Sequence, residues 1–385
     1  MNEWKPAVTP EGVIWGKTLD SGEPVTLRFL DIRRERTGVH ALVALTLEET
    51  VLAHDTFNIG RSEERNRLSK AAFGLLGAVH KIAWPQEAIR HDLDLAALRT
   101  PRIWDEERVQ VVSYGPEDVP PALSFILKPY VLDGGGTILF APPGSGKSYI
   151  LQAMSICAAN GINALWDVPT AYPVLHINLE RSPASLHRRD RALLRALGLS
   201  SPSHVAYLHA RGYGLQTVER KARQWLKATG GIGGVMLDSL SRGSLGALNE
   251  DETANRFIDV MNGLQAKWWV AIGHTPRQNE DHLFGSVHFD AGEDIGVKVA
   301  SQEKGTTLGV SLQITKGNDI GKFPAQFLAL DFAAADGPLT GLRVAKAGEF
   351  PDLLLKKGTS EEQRMINAIQ ESADSTLSVG DIVAR

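Results

Sequence analysis

The stretch Thr137-Ile-Leu-Phe-Ala-Pro-Pro-Gly-Ser-Gly-Lys-Ser148 decides the fold. Thr137 to Phe140 is a short apolar run that reads as a buried strand. The run passes into Ala141-Pro-Pro-Gly-Ser-Gly-Lys-Ser148, and Ile150, Met154, Cys157 and Ala158 follow at helical spacing. Strand, glycine-rich loop and helix in that order make a phosphate-binding loop. Pro143, Gly144, Ser145, Gly146, Lys147 and Ser148 form the candidate cradle, with backbone N–H groups and the positive end of the new helix facing a phosphate. Lys147 is placed to reach the β- and γ-phosphates, and Ser148 to ligate Mg²⁺. The first position of the motif is Ala141 rather than glycine. Gly144 and Gly146 stand where the chain must bend around the phosphate.

Working outward, the 385 residues suffice for two or three domains. The net charge of -4 exerts no global pull on nucleic acid, so any DNA contact must come from a local patch. The single cysteine, Cys157, excludes an intramolecular disulfide and fits a reducing compartment. No run of about 18 apolar residues and no charged-then-apolar leader occurs, so the expectation is a cytoplasmic protein without a membrane partner.

Residues 1–115 read as a separate α+β module. Val25–Ile32, Val39–Leu47 and Val51–Phe57 suggest an antiparallel meander, Ser62–Val79 a helix, and Pro85 the start of another. Arg33, Arg34 and Arg36 cluster near a hairpin turn and read as a solvated turn. Gly115 to Pro121 reads as a linker. From there strands and helices alternate, which implies a mostly parallel sheet with helices on both faces. The strands are Val174–Leu179, Val205–His209, Gly234–Asp238 and Trp268–Ile272, with helices over Ser185–Leu197, Thr217–Thr229 and from Asn249. Ile295–Val299, Thr307–Thr315 and Phe327–Phe332 are expected to extend the sheet in antiparallel fashion. The expected domains are therefore 1–115, 116–347 and a helical tail, 348–385, resembling the start of a winged-helix unit.

Asp238 ends an apolar strand, a position suited to holding a Mg²⁺-bound water. The residue after it is Ser239, where AAA+ families carry the glutamate that activates water. The glutamate must come from elsewhere. Glu180 ends a neighbouring strand, and carboxyl ends of parallel strands converge on one ligand edge, which makes Glu180 the candidate base. His274 and Thr275 end the next strand at the same edge and could sense a γ-phosphate. Pro276–Asp290, with Arg277, His282 and His288, reads as a surface loop able to touch DNA.

Residues 130 to 335 resemble the RecA-like ATPase fold, and within it the RepA-type hexameric helicases of plasmids and phages. The resemblance rests on the phosphate loop, on Val174-Leu-His-Ile-Asn-Leu-Glu180, on Val235-Met-Leu-Asp-Ser-Leu240, on Gly273-His-Thr-Pro-Arg277 and on Lys316-Gly-Asn-Asp-Ile-Gly321. It implies ATP and Mg²⁺ as ligands, Glu180 as catalytic glutamate, Asp238 as magnesium aspartate, His274 as sensor and Lys316 as a finger acting on a neighbouring subunit's γ-phosphate. It implies single-stranded DNA as partner, contacted through Arg277 and His282, a homo-hexamer, and a replication or loader protein docked on the amino-terminal module. Asn318 stands where the related replicative helicases place a second, arginine finger, and Gly273 where many members carry a first histidine. A recombinase that forms filaments on single strands and a nucleotide-switched regulatory ATPase are the alternatives.

Overall fold

The computed structural model describes residues 3–9, 11–35, 37–79, 84–107, 111–119, 122–200, 202–244, 246–276, 282–335 and 337–355. The chain forms two compact units that divide between Pro120 and Pro121.

The first unit is a five-stranded antiparallel meander: β1 (Lys5–Thr9), β2 (Gly12–Thr18), β3 (Pro24–Glu35), β4 (Gly38–Leu47) and β5 (Thr50–Asn58), in sequential order. Alternation buries Val25, Leu27 and Phe29 on β3 and Val43, Leu45 and Leu47 on β4. Helices α1 (Ser62–Val79) and α2 (Gln86–Glu106) cover this face, with Leu68, Ala72, Ile89 and Leu93 in the core. Pro85 caps α2 with extended backbone, as its fixed φ favours. The strands β1 and β2 are additional to the three expected from sequence. β1 lies at the sheet edge with its residues exposed or half-buried, so it lacks an apolar signature.

The second unit begins with a small hairpin of β6 (Phe125–Leu127) and β7 (Val131–Leu132). There follow β8 (Gly136–Ala141), α3 (Lys147–Asn160), β9 (Val174–Asn178), α4 (Pro183–Ala196), β10 (Val205–His209), α5 (Leu215–Ala228) and β11 (Gly234–Asp238). Then come α6 (Leu240–Gly243), α7 (Asp251–Gly263), β12 (Trp268–His274), α8 (Val287–Gly292), β13 (Ile295–Lys304), β14 (Thr307–Gly317), β15 (Gln326–Phe332), β16 (Leu339–Ala345) and α9 (Pro351–Leu355). The sheet order is β10-β9-β11-β12-β8-β13-β14-β15-β16, which is RecA-like. β8, β9, β11 and β12 are buried along nearly their whole length, as a sheet covered on both faces requires. Ile150, Met154 and Cys157 of α3 pack on one face, and Phe257 and Met261 of α7 on the other.

Two expectations need correction. Ile295–Val299 does not begin an antiparallel extension: β13 runs parallel to β8, pairing Ile295 with Thr137, and the reversal comes at β14. The segment Pro276–Asp290 is not loop throughout, because Ser286 caps α8 by accepting a hydrogen bond from the His288 N–H at 3.1 Å. β16 is a further strand, and Phe350 and Leu353 are buried against Phe327 and Ala329 of β15. Gly309 makes room for Phe350, since a Cβ there would lie 2.2 Å from the ring. The expected winged-helix resemblance falls on residues 356–385, outside the described residues.

Candidate active site

The carboxyl ends of β8, β9, β11 and β12 meet at one edge of the sheet. There a cavity of 510 Å³ is lined by the phosphate loop, Glu180, Arg189, Asp238 and His274. The loop turns through Gly144 and Gly146, both at φ 83°, a left-handed conformation that glycine alone adopts without strain. A Cβ at Gly144 would touch nothing within 4 Å, so backbone angle rather than space selects glycine there. Ser145 Oγ donates to the Pro142 carbonyl at 2.8 Å and fixes the turn. Lys147, first residue of α3, sends its ammonium back to the Ala141 and Pro142 carbonyls, each at 2.7 Å. Burial lowers its pKa to about 8, an effect that Asp238 and then Glu180 oppose.

Asp238 is buried at the end of β11, opposite Asn178 of β9. The Ser148 side chain lies close enough to hold its carboxyl pKa down. Its Oδ1 is buried with no partner. Burial, then Glu180, pushes its carboxyl pKa up, against Ser148, Arg189 and Arg181. A buried carboxylate oxygen without a donor, beside a serine hydroxyl, is an oxygen-ligand pair suited to a hard divalent cation, so Ser148 and Asp238 fit Mg²⁺.

Glu180 reaches this edge through a side-chain turn. Asn178 Oδ1 accepts from the Arg181 N–H at 2.9 Å, while its Nδ2 donates to the Arg181 carbonyl at 2.8 Å. Ser239 Oγ donates to Glu180 Oε1. The residue that replaces the adjacent glutamate of AAA+ chains thus holds the glutamate that comes from β9.

His274 pairs with Ala141 across β12 and β8, half-buried, with Nδ1 unpartnered. Burial, then Lys147, lowers its pKa, against Glu180, which favours the neutral ring. Thr275 is buried beside it with its hydroxyl unpartnered.

One residue of this cavity escapes a reading of the sequence. Arg189, on α4, is buried with its guanidinium carbon 4.0 Å from the Tyr149 ring centroid and its Nη1 unpartnered. Its burial is the only signal, because it lies in the run Arg188-Arg189-Asp190-Arg191, which resembles a solvated helix face.

Two further candidates lie elsewhere. Lys316 does not line this cavity. Its ammonium donates to the Asp290 carbonyl, to Glu293 at 2.5 Å and to Ala291 at 3.5 Å, closing the carboxyl end of α8. His282 lies ahead of α8, close enough to Asp290 to influence that carboxyl. Arg277 falls outside the described residues. No helix among the described residues is long and apolar enough to cross a membrane.

Fold and site together make a RecA-like α/β core with a phosphate-binding loop at the carboxyl edge of its sheet. A family model described as "AAA domain" matches residues 105–275, from the end of α2 through β12. Similar solved structures include a KaiC-like protein of Pyrococcus horikoshii, 15% identical over 57% of this chain and 93% of that one, with a TM-score of 0.41. The flagellar accessory protein FlaH of Methanocaldococcus jannaschii is 14% identical over 55% of this chain and 90% of that one, with a TM-score of 0.38. No curated protein matches the chain in sequence.

Proposed function

We propose that the chain is an ATP-hydrolysing, ring-forming DNA helicase or translocase of the RepA type, acting in DNA replication. The observation that carries the reading is Glu180, oriented by Ser239 beside the Asp238–Ser148 pair. In this reading the loop from Pro143 to Ser148 cradles the phosphates of ATP, and Lys147 turns from its carbonyl contacts to the β- and γ-phosphates. Ser148 and Asp238 would hold Mg²⁺, which when bound would supply charge neutralisation at the phosphates. Glu180 takes the proton of the attacking water, and Ser239 keeps the carboxylate aimed. His274, neutral and half-buried between the loop and Glu180, senses the γ-phosphate. Arg189 supplies a desolvated cation from the same subunit. Single-stranded DNA is the partner, and a hexamer the assembly. The amino-terminal unit docks a replication or loader protein.

Glu180→Gln keeps size and loses basicity. It should bind ATP at parent affinity while turnover, with and without single-stranded DNA, falls ~10²-fold or more. Equal loss of binding and turnover would make Glu180 a structural residue.

A second reading, a nucleotide-switched regulatory ATPase without translocation, is favoured by Lys316. Its ammonium already serves three carbonyls of its own subunit rather than standing free for a neighbour. Turnover that no nucleic acid stimulates would select this second reading.

A further inference from the structure

A second cavity, of 730 Å³, adjoins the nucleotide cavity and shares Glu180 and His274 with it. Its remaining walls include Arg211, Tyr213 and Arg242. Arg211 and Tyr213 belong to the turn between β10 and α5, and Arg242 to α6 after Asp238 and Ser239. The turn is fixed: Ala210 N–H donates to the Asn178 carbonyl and Tyr213 N–H to the Ala210 carbonyl, each at 3.0 Å, with Gly212 at φ 87°. Both arginines are exposed and form no ion pair among the described residues. Tyr213 is 60% exposed, a large aromatic surface left in solvent at a rigid turn. On a chain of net charge -4 this is a local cluster of unneutralised cations.

We propose that this cavity binds the backbone of single-stranded nucleic acid, with Arg211 and Arg242 on phosphates and Tyr213 stacking a base. The proposal rests on the strand-directed motor reading and deepens it. Guanidinium forks match phosphate oxygens, and two of them outweigh the one carboxylate in the wall, Glu180, which is already held by Ser239. Base stacking on an exposed aromatic next to a cationic groove is the usual way to hold a strand without reading its sequence. The shared wall gives the coupling a physical route. A strand seated here lies against Glu180 and His274, so occupancy alters the setting of the residues that face the γ-phosphate.

The test is anisotropy of labelled oligo(dT) with the full chain and a non-hydrolysable ATP analogue, over a series of salt concentrations. The Arg211→Ala/Arg242→Ala double variant should bind at least about tenfold more weakly, with a salt slope shallower by ~1.4, since a single strand contributes ~0.7 per neutralised phosphate. Tyr213→Leu should weaken binding about tenfold and leave the slope unchanged. Basal ATP turnover of Arg211→Ala and of Tyr213→Leu should match the parent, while its stimulation by oligo(dT) falls. Parent affinity and slope in the double variant overturn the proposal. Displacement of oligo(dT) by millimolar inorganic phosphate or thymidine monophosphate also overturns it, since the cavity would then be an anion pocket rather than a strand site. A parent chain that binds no oligo(dT) overturns the motor reading and this inference together, whereas parent-level binding in the double variant overturns this inference alone.

Discussion

Asp92 in the first unit and Asp238 in the second are both buried carboxylates, and their surroundings treat them in opposite ways. Asp92 receives Trp4 Nε1 at 2.8 Å on one oxygen, and Lys17 Nζ at 2.5 Å and Trp84 Nε1 at 3.1 Å on the other. The Lys17 ammonium in turn lies 4.8 and 5.5 Å from the centroids of those two indoles. Every strong donor in the cluster has an acceptor. Around Asp238 the reverse holds, with Asp238 Oδ1, Arg189 Nη1, His274 Nδ1 and the Thr275 hydroxyl all buried and unpartnered. Folding tolerates a buried polar group only when it is paired, at a cost of about 1–3 kcal/mol for each that is not. A cluster that is complete serves the fold. A cluster that concentrates its deficits at one sheet edge is prepared for something that arrives later.

The most severe test of this contrast removes each carboxylate in turn. Asp92→Ala strands the Lys17 ammonium and two indole N–H groups in a buried site. Breaking such a pair from one side typically costs ~3–5 kcal/mol, visible as a lower denaturation midpoint. Asp238→Ala removes a carboxylate that the fold leaves with an unpartnered buried oxygen. It should lose less than ~1 kcal/mol of stability while abolishing ATP turnover. Comparable midpoint losses in the two variants would erase the distinction.

The same contrast extends to Lys17 and Lys147, and here pH is the probe. Lys17 has a carboxylate, whereas the Lys147 ammonium has only the Ala141 and Pro142 carbonyls. Burial brings Lys147 down to about 8, so the free chain sheds this proton as pH rises through that value. A bound γ-phosphate favours the ammonium and raises its pKa again. Below pH 8 both states hold the proton and ATP affinity should be flat. Above it, binding must take a proton up, and affinity should fall by up to about tenfold per pH unit, ~1.4 kcal/mol each. Titration calorimetry near pH 9 in buffers of different ionisation heat should register proton uptake on binding. Uptake absent there would mean that the Lys147 proton is not linked to the phosphate.

How much of this was legible in the sequence follows from distance along the chain. The phosphate loop is a contiguous signal, and strand–loop–helix order carries it whole. Asp238 and Glu180 were legible because each ends an apolar run, and parallel strands share a ligand edge. The tie between Glu180 and Ser239 spans 59 positions and has no local signature. Arg189 looks like its neighbours Arg188 and Arg191, and only tertiary burial separates it from them. β1, at one edge of the first sheet, is too exposed to show alternation. β16 is a terminal strand of the second sheet, mixing exposed and buried positions.

Lys316 tests the smallest of these differences, that between a cation waiting for a partner and one already engaged. From the sequence it stands in a glycine-flanked turn and resembles a finger for a neighbouring subunit. In the structure it closes the carboxyl end of α8, where helical carbonyls lack intrahelical donors. A charged donor at such carbonyls contributes ~1–2 kcal/mol, so Lys316→Ala should lower the denaturation midpoint by about that much, and Lys316→Arg should restore part of it. The finger role makes a separate demand. In mixed assemblies of Lys316→Ala with Lys147→Ala, an interface with one intact lysine of each kind would regain turnover that neither variant has alone. With the ammonium committed inside its own subunit, we expect a loss of stability and no such regain, even where native mass analysis shows co-assembly. Turnover reappearing on mixing would show that the clamp on α8 opens in the assembled state and that Lys316 is as available to a neighbour as Arg189 is to its own nucleotide cavity.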